Sequence, residues 1–444
     1  MSLELAREHS EAGRYAEAWR IVSPHLQAEP NDPRGLALAA FMLEKQGNAA
    51  LAYHVCKQLT QAHPQQAIAW LNLGKCCDTL WRMSEAEAAY TRALTQVRAG
   101  DNATKVAVLC NIAALHLQMG NFKRAREYSE RVLKIDPDHL KSRHNMGLCL
   151  MAAGEWAEGW KQYEASVGSP QRIAWNYGGE PTWQGEPGKT VAIFGEQGIG
   201  DEICAASMVP DAIKRAGKVI IDCDSRLEAL FRRSFPDAKV YGTRNQKVLN
   251  WAEEDHQVDY SIAAMQLGAL FRPAAESFPR QPYLKADHDA VLMWKALWKS
   301  KGKPAVGVAW TGGLAETGQS LRSLTTDQLG PLFGIDAHFV SLQYKETDTT
   351  GTPLHTYAHA TLTKDYDMTA GLVASLDAVV SVPTSVAHLS GALGVPTIAM
   401  QAQASCWKYA AGLPFHPCDL IPNNGKWADT LYAAASQLKK VLYD

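Results

Sequence analysis

Val379–Met400 reads VVSVPTSVAHLSGALGVPTIAM. An apolar run from Ala378 to Val382 breaks at Pro383, passes Thr384 and Ser385, enters a short helix carrying His388, stops at Gly394 and restarts as an apolar strand after Pro396. Two short apolar runs around a helix make a strand–helix–strand unit of a parallel sheet. The hydroxyl residues stand where the helix begins, so its unpaired N–H groups and positive dipole end face the carboxyl edge of the sheet, where such folds take anions. A phosphate fits this place. Simple capping fits too, because Thr and Ser are common at helix starts that bind nothing.

The same alternation continues on both sides of this unit, giving an α/β second half. From Val191 the pattern is VAIF, a helix from Glu202, VIIDC, a helix over Leu227 to Phe235, and Val240 to Tyr241. After a helix over Asp287 to Ser300 come the strands AVGVAW (Ala305 to Trp310), HFVSLQ (His338 to Gln343), DAVVSV (Asp377 to Val382) and TIAM (Thr397 to Met400). FGEQGIGDE (Phe194 to Glu202) follows the first strand. It is neither G-x-G-x-x-G nor a P-loop, so a dinucleotide cofactor or ATP is not indicated. Its glycines let backbone approach a ligand and Asp201 emerges at the strand's carboxyl end, although a glycine turn with an Asp cap reads the same way.

SVPTSVAHLSGALGVP resembles the nucleotide-sugar motif of the heptosyltransferase-like GT-B glycosyltransferases, above all bacterial proteins in which that domain follows tetratricopeptide repeats. GEQGIGDEICAASMVP resembles the family's G-x-G-D loop. AWTGG (Ala309 to Gly313) with RSL (Arg322 to Leu324) resembles its diphosphate-holding segment, FVSLQ its nucleoside-side strand, and DYDMTAGLVASLDAVVSV the approach to the phosphate turn, where Thr369 reads as a helix cap. The likeness spans about Trp175 to Pro417. It implies two Rossmann-like lobes with a cleft between them, Asp201 as general base, and a donor site of Gly198, Gly200, Thr311, Arg322, Gln343, Thr384, Ser385, His388 and Lys408. Two departures stand out: Pro383 replaces the family's acidic residue, expected to contact the donor sugar, and Phe415, His416 and Pro417 replace an aromatic-rich ending.

The first half has a period. Gly13 and Gly47 are 34 residues apart, as are Gly120 and Gly154, while Gly47 to Gly120 spans two periods plus five residues. Trp81 occupies the missing middle slot, and the extra residues fall near Arg98 to Asn102. A small residue follows each mark five positions on (Ala18, Ala52, Ala86, Ala125, Gly159), and Pro30, Pro64 and Pro137 recur near repeat ends. A 34-residue unit so marked, with AWLNLGKCC (Ala69 to Cys77) and AEAAYTRAL (Ala86 to Leu94), resembles the tetratricopeptide repeat. The small residue lets paired helices approach, the glycine turns the chain, and the proline ends the second helix. About five repeats are expected, the first with a shortened leading helix. Asn72, Asn111 and Asn145 recur on leading helices, where amides can hold an extended peptide or merely cap neighbouring repeats.

The expected organisation is a repeat array over 1–168, a Trp-, Pro- and Gly-rich connector over 169–189, and lobes over 190–286 and 287–444. The 44 basic and 46 acidic residues are spread along the chain without a basic block, which argues against nucleic acid as partner. No apolar run reaches the roughly 18 residues needed to cross a bilayer. The charged, amphipathic N-terminus does not read as a secretory signal, so a cytoplasmic protein is expected. The nine cysteines are scattered without a C-x-x-C pair, and the histidines lack metal-ligand spacing, so no disulfide framework, metal or other cofactor is expected. The reading implied is a metal-independent inverting glycosyltransferase taking a nucleotide-diphosphate sugar to a protein side chain presented by the repeats. Its rivals are a tetratricopeptide scaffold with an idle GT-B domain and a GT-B-type nucleotide-sugar epimerase, which would have no use for a peptide-binding array.

Overall fold

The computed structural model describes residues 2–444 except 170, 171, 173, 176, 245, 247, 248, 250, 252–257, 314–317 and 364, so parts of the connector lie outside the described residues. The chain divides into two compact units, Met1–Met146 and Gly147–Asp444.

Five antiparallel helix pairs come first: α1 (Leu3–Glu11) with α2 (Tyr15–Ala28), α3 (Pro33–Lys45) with α4 (Ala49–Ala62), α5 (Ala67–Thr79) with α6 (Met83–Gln96), α7 (Asn102–Gln118) with α8 (Phe122–Leu133), and α9 (Leu140–Ala152) with α10 (Trp156–Glu164). α1 has 9 residues against 13 in α3. The extra residues of the broken period largely lengthen α7, which has 17. Between paired helices the backbone turns through the left-handed region at Gly13, Gly47, Gly120 and Gly154 (φ 71 to 80°), and Trp81 does the same at φ 57°. An L-residue with a large side chain rarely adopts that conformation, so the turn is imposed by the helices it joins. Ala18, Ala52, Ala86 and Ala125 are fully buried where paired helices meet.

In the second unit four parallel strands, β1 (Thr190–Phe194), β2 (Lys218–Asp222), β3 (Ala238–Tyr241) and β4 (Tyr260–Ala263), lie in the order β3-β2-β1-β4. Six more, β5 (Ala305–Ala309), β6 (His338–Ser341), β7 (Leu354–Thr356), β8 (Ala378–Ser381), β9 (Thr397–Met400) and β10 (Asp419–Ile421), lie in the order β10-β9-β8-β5-β6-β7. Every pairing in the second sheet is parallel. β5 and β8 are buried throughout, as a sheet covered on both faces requires. The apolar runs predict seven of these ten strands. β4, β7 and β10 escape because each is short and carries polar residues (YSIA, LHT, DLI).

Among the described residues no helix is long and apolar enough to cross a membrane.

Candidate functional site

In each sheet the chain leaves the first strand toward one neighbour and later returns to its other side, opening a crevice at the carboxyl ends of the strands where the order reverses. In the second sheet that point lies between β5 and β8. Trp310, Thr311 and Gly312 follow β5, and Pro383 and Thr384 follow β8. A Cβ on Gly312 would lie 2.7 Å from the Pro383 carbonyl and 3.4 Å from that of Arg322, so only a residue without a side chain lets these three segments converge. Helix α15 (Ser385–Ala392) starts here with Thr384 as its cap: the hydroxyl accepts from the Ala387 N–H at 3.4 Å and bonds Ser381 Oγ at 2.9 Å. Gln343 is buried, and with its amide oxygen turned toward β5 it accepts from the N–H groups of Trp310 (3.2 Å) and Thr311 (2.9 Å) and the Thr311 hydroxyl (3.1 Å). It therefore positions Thr311. Arg322 lies half-buried at the end of the 3₁₀ turn Gln319–Leu321.

Across the crevice, helix α11 (Ile199–Ala206) follows β1. It begins three residues earlier than the sequence suggests, because Asp201 reaches back to accept from the Gly198 N–H at 3.2 Å and caps it. Asp201 thus sits in the first helical turn. Its other oxygen accepts from Lys408 Nζ, carried by the short helix α16 (Trp407–Ala410). Lys408 is only 7% exposed. Burial pulls its ammonium down, but the Asp201 carboxylate outweighs this and holds it above the usual lysine range. A Cβ on Gly200 would lie 3.4 Å from Ser385 Cα and 3.3 Å from the His388 ring. The starts of α11 and α15 therefore touch at a glycine. Arg233, on helix α12 (Glu228–Ser234), forks onto Asp367 of helix α14 (Tyr366–Ala374) with two 2.7 Å bonds and ties the regions around the two sheets; α13 (His288–Lys301) connects them in sequence. Thr369 is not a cap: it lies inside α14 and donates to the Ala360 carbonyl at 2.6 Å, while Asp365 caps the helix.

The loop before α11 is held from α10. Glu196 accepts from Arg172 Nε (2.8 Å) and Nη2 (2.7 Å), with side-chain exposures of 3% and 0%. Arg172 also donates to the Tyr163 carbonyl at 2.6 Å and lies 3.7 Å from the Tyr163 ring centroid. Gln197 donates to the Tyr163 hydroxyl at 2.9 Å, and Trp160 donates to the Arg272 carbonyl at 2.8 Å. Trp156 and Trp160 each pack edge on against Trp407, so α10 also supports the helix carrying Lys408. Sequence reading does not find Arg172, Tyr163 or Trp160. The available signal was Trp156, Trp160 and Tyr163 on one helical face, an aromatic load the other second helices lack.

Glu202 is buried beside Arg244 and accepts from the Asp224 N–H at 3.0 Å. Burial pushes its carboxyl up to about 7 against the pull of Arg244. His388 is buried, and its Nδ1 lies 3.0 Å from His416 Nε2. Burial, with His416 and Lys408 nearby, holds His388 well below the usual histidine range, and burial brings His416 to about 4. Neutral rings in mutual hydrogen bonding make His388 a structural neighbour of the helix start. Cys204 and these two rings place ligand atoms within 4.8 Å of one another, a soft donor set of the kind that takes zinc. Among the described residues none of the nine cysteines forms a disulfide.

The three asparagines do not act alike. Asn111 lines a cavity between the leading helices but donates to the Ala107 carbonyl of its own helix at 2.8 Å. Asn145 is buried, with its Nδ2 unpartnered among the described residues, and Asn72 is half-buried.

Residues 65–138 match the tetratricopeptide repeat family model. The chain is similar to Protein FlbA of Caulobacter vibrioides, 27% identical over 445 residues, covering 93% of this chain and 74% of that protein. A local likeness, 35% over 63 residues, links 14% of this chain to 9% of the human trafficking protein particle complex subunit 12. Among solved structures, a crystal structure of MamA aligns with 37% of this chain and 94% of its own at 19% identity and a TM-score of 0.33. PilF of Pseudomonas aeruginosa aligns with 39% of this chain and 76% of its own at 17% identity and a TM-score of 0.34. The protein carries tetratricopeptide repeats followed by an α/β region with two parallel sheets, and is related to FlbA along most of its length.

Proposed function

We propose that the α/β region is a GT-B-fold, metal-independent, inverting glycosyltransferase, which takes a sugar from a nucleotide-diphosphate donor to a protein side chain held by the repeats. The observation that carries this reading is the meeting of α15 and α11 at the two strand-order crevices, with Asp201 and Lys408 paired beside them. The donor's diphosphate sits at the N-terminus of α15, where Thr384, Ser385 and oriented N–H groups receive negative charge, with Arg322 and Lys408 as cations. The acceptor oxygen attacks the anomeric carbon from the face opposite the diphosphate. Its proton passes to Asp201, and the bond to phosphate breaks with its electron pair leaving on the nucleotide diphosphate. Both Asp201 oxygens are engaged, one by the Gly198 N–H and the other by Lys408 Nζ. A bound diphosphate competes for Lys408, so donor binding itself frees the base.

That engaged carboxylate, together with Pro383 at the sugar-contacting position, favours one rival: a tetratricopeptide scaffold whose α/β region binds nucleotide without turnover. A thermal-shift and mass-spectrometric screen against UDP-, GDP-, ADP- and CMP-linked sugars separates the two. A donor that stabilises the protein, by about 2.7 kcal/mol at a hundredfold excess over its Kd, and is consumed supports the enzyme. Stabilisation without consumption supports the scaffold, and no response to any donor sinks the nucleotide-binding site itself.

A further inference from the structure

Helices of the repeat unit surround a cavity of about 510 Å³, lined by Phe41, Glu44 and Lys45 of α3, Lys75 and Asp78 of α5, Tyr90 of α6 and Lys141 of α9. Two of its wall groups are unsatisfied. Tyr90 is fully buried, its ring against Gly74 where no Cβ fits, and its hydroxyl has no partner among the described residues. Asp78 likewise buries an oxygen, Oδ1, without a partner. Folded proteins rarely leave such atoms unpaired, because each forfeits its hydration without a replacement bond.

We propose that this corner is a socket for the Lys or Arg side chain of an extended peptide, with Asp78 Oδ1 and the Tyr90 hydroxyl accepting from the cation. The proposal rests on reading the array as protein-binding. Asp78 Oδ1 can only accept, so the occupant must bring a donor; a cation brings several donors and the opposite charge, and Glu44 adds a second carboxylate. Among the described residues none of the cavity's lysines hydrogen-bonds Asp78 Oδ1, and Lys141 acts on the carboxylate through its charge alone. Lys45 lies over the Phe41 ring, 5.5 Å from its centroid. Burial pushes the Asp78 carboxyl up to about 6 despite the opposing pull of Lys141 and Gln118. A chain rather than a free amino acid is indicated because the groove continues: Phe41, 38% exposed, also lines a second cavity of about 580 Å³ with Leu3, Arg7 and Leu38. An apolar step between two cavities suits a backbone laid along the leading helices with one side chain descending at Asp78.

The test uses the full chain and capped, fluorescein-labelled hexapeptide pools in which one position is fixed as Arg, Lys, norleucine or Glu, read by fluorescence anisotropy. The Arg and Lys pools should bind at least about tenfold more tightly than the norleucine pool, the value of one charge-assisted bond. Asp78→Asn should abolish that preference and Tyr90→Phe should reduce it a few-fold, with helical circular dichroism unchanged. If Asp78→Asn does not fold, Lys141→Met provides the second arm, since removing the competing cation should tighten the Arg pool. A Glu pool that binds best, or an Arg preference that survives Asp78→Asn, overturns the socket while leaving a peptide-binding array. Binding of no pool overturns both.

Discussion

In the repeat unit Asp78 Oδ1 and the Tyr90 hydroxyl have no hydrogen-bond partner among the described residues, whereas around the sheets Asp201, Glu196 and Glu202 each face a largely buried cation: Lys408, Arg172 and Arg244. The contrast is between a buried carboxylate without an ion pair and three that have one; around the sheets too some buried polar atoms, the Tyr366 and Tyr409 hydroxyls among them, have no hydrogen-bond partner among the described residues. An open valence lowers the stability of the free protein and returns the cost on binding. A closed one rigidifies the site, but any ligand must exchange partners to enter.

The largest effect should come from opening a closed pair with no access to water. Arg172→Ala strands Glu196 and should cost about 3–5 kcal/mol in denaturant unfolding followed by tryptophan fluorescence, with Arg172→Met/Glu196→Gln costing much less. A loss under about 1 kcal/mol for the single variant would show that the glycine loop is held by other contacts. At the second pair, Asp201→Asn should lower sugar transfer at least about a hundredfold while donor affinity stays within a few-fold. Adding Lys408→Met should restore stability without restoring transfer. Near-normal transfer by the single variant would move the proton to Glu202 or another group.

The carboxylate without an ion pair predicts a pH dependence. The folded Asp78 pKa of about 6 lies above the ordinary aspartate value of 3.8, so folding favours the protonated form and stability falls as pH rises between these values. Asp78→Asn should accordingly be more stable than wild type at pH 7, by roughly 2–3 kcal/mol, and equal to it near pH 4. Parallel pH profiles would mean that Asp78 is compensated after all. The smallest effect concerns the repeat turn: Trp81→Gly relieves a left-handed φ worth about 1–2 kcal/mol but loses ring packing, so stability should rise by no more than about 1 kcal/mol. A thermal melt showing a clear loss would make the indole, not the turn, the reason for that residue.

The repeats were legible because their cause is local. A glycine at a left-handed turn, a small residue at a helix crossing and a proline past a helix end each leave a mark at fixed spacing, and Trp81 obeys the turn although its side chain disfavours it. The buried strands were legible for a similar reason, their apolar runs being the condition of burial on both faces. Short edge strands such as LHT and DLI meet a weaker condition and leave no run. At the candidate site the helix cap at Thr384 was readable, because a cap is made within four residues.

Partners far apart in sequence were not readable. Nothing near Asp201 announces Lys408, 207 positions on, and nothing near Glu196 announces Arg172 or Tyr163. Charge pairing depends on distance in space and on exclusion of water, and neither is written into spacing along the chain. The amino-acid order thus determined the helix pairs, the parallel strands and the capped helix start, all products of local geometry and apolar period. Only the tertiary structure decided which charges close on one another around the sheets and which stay open between the repeat helices, because burial creates both the strength of a pair and the cost of its absence.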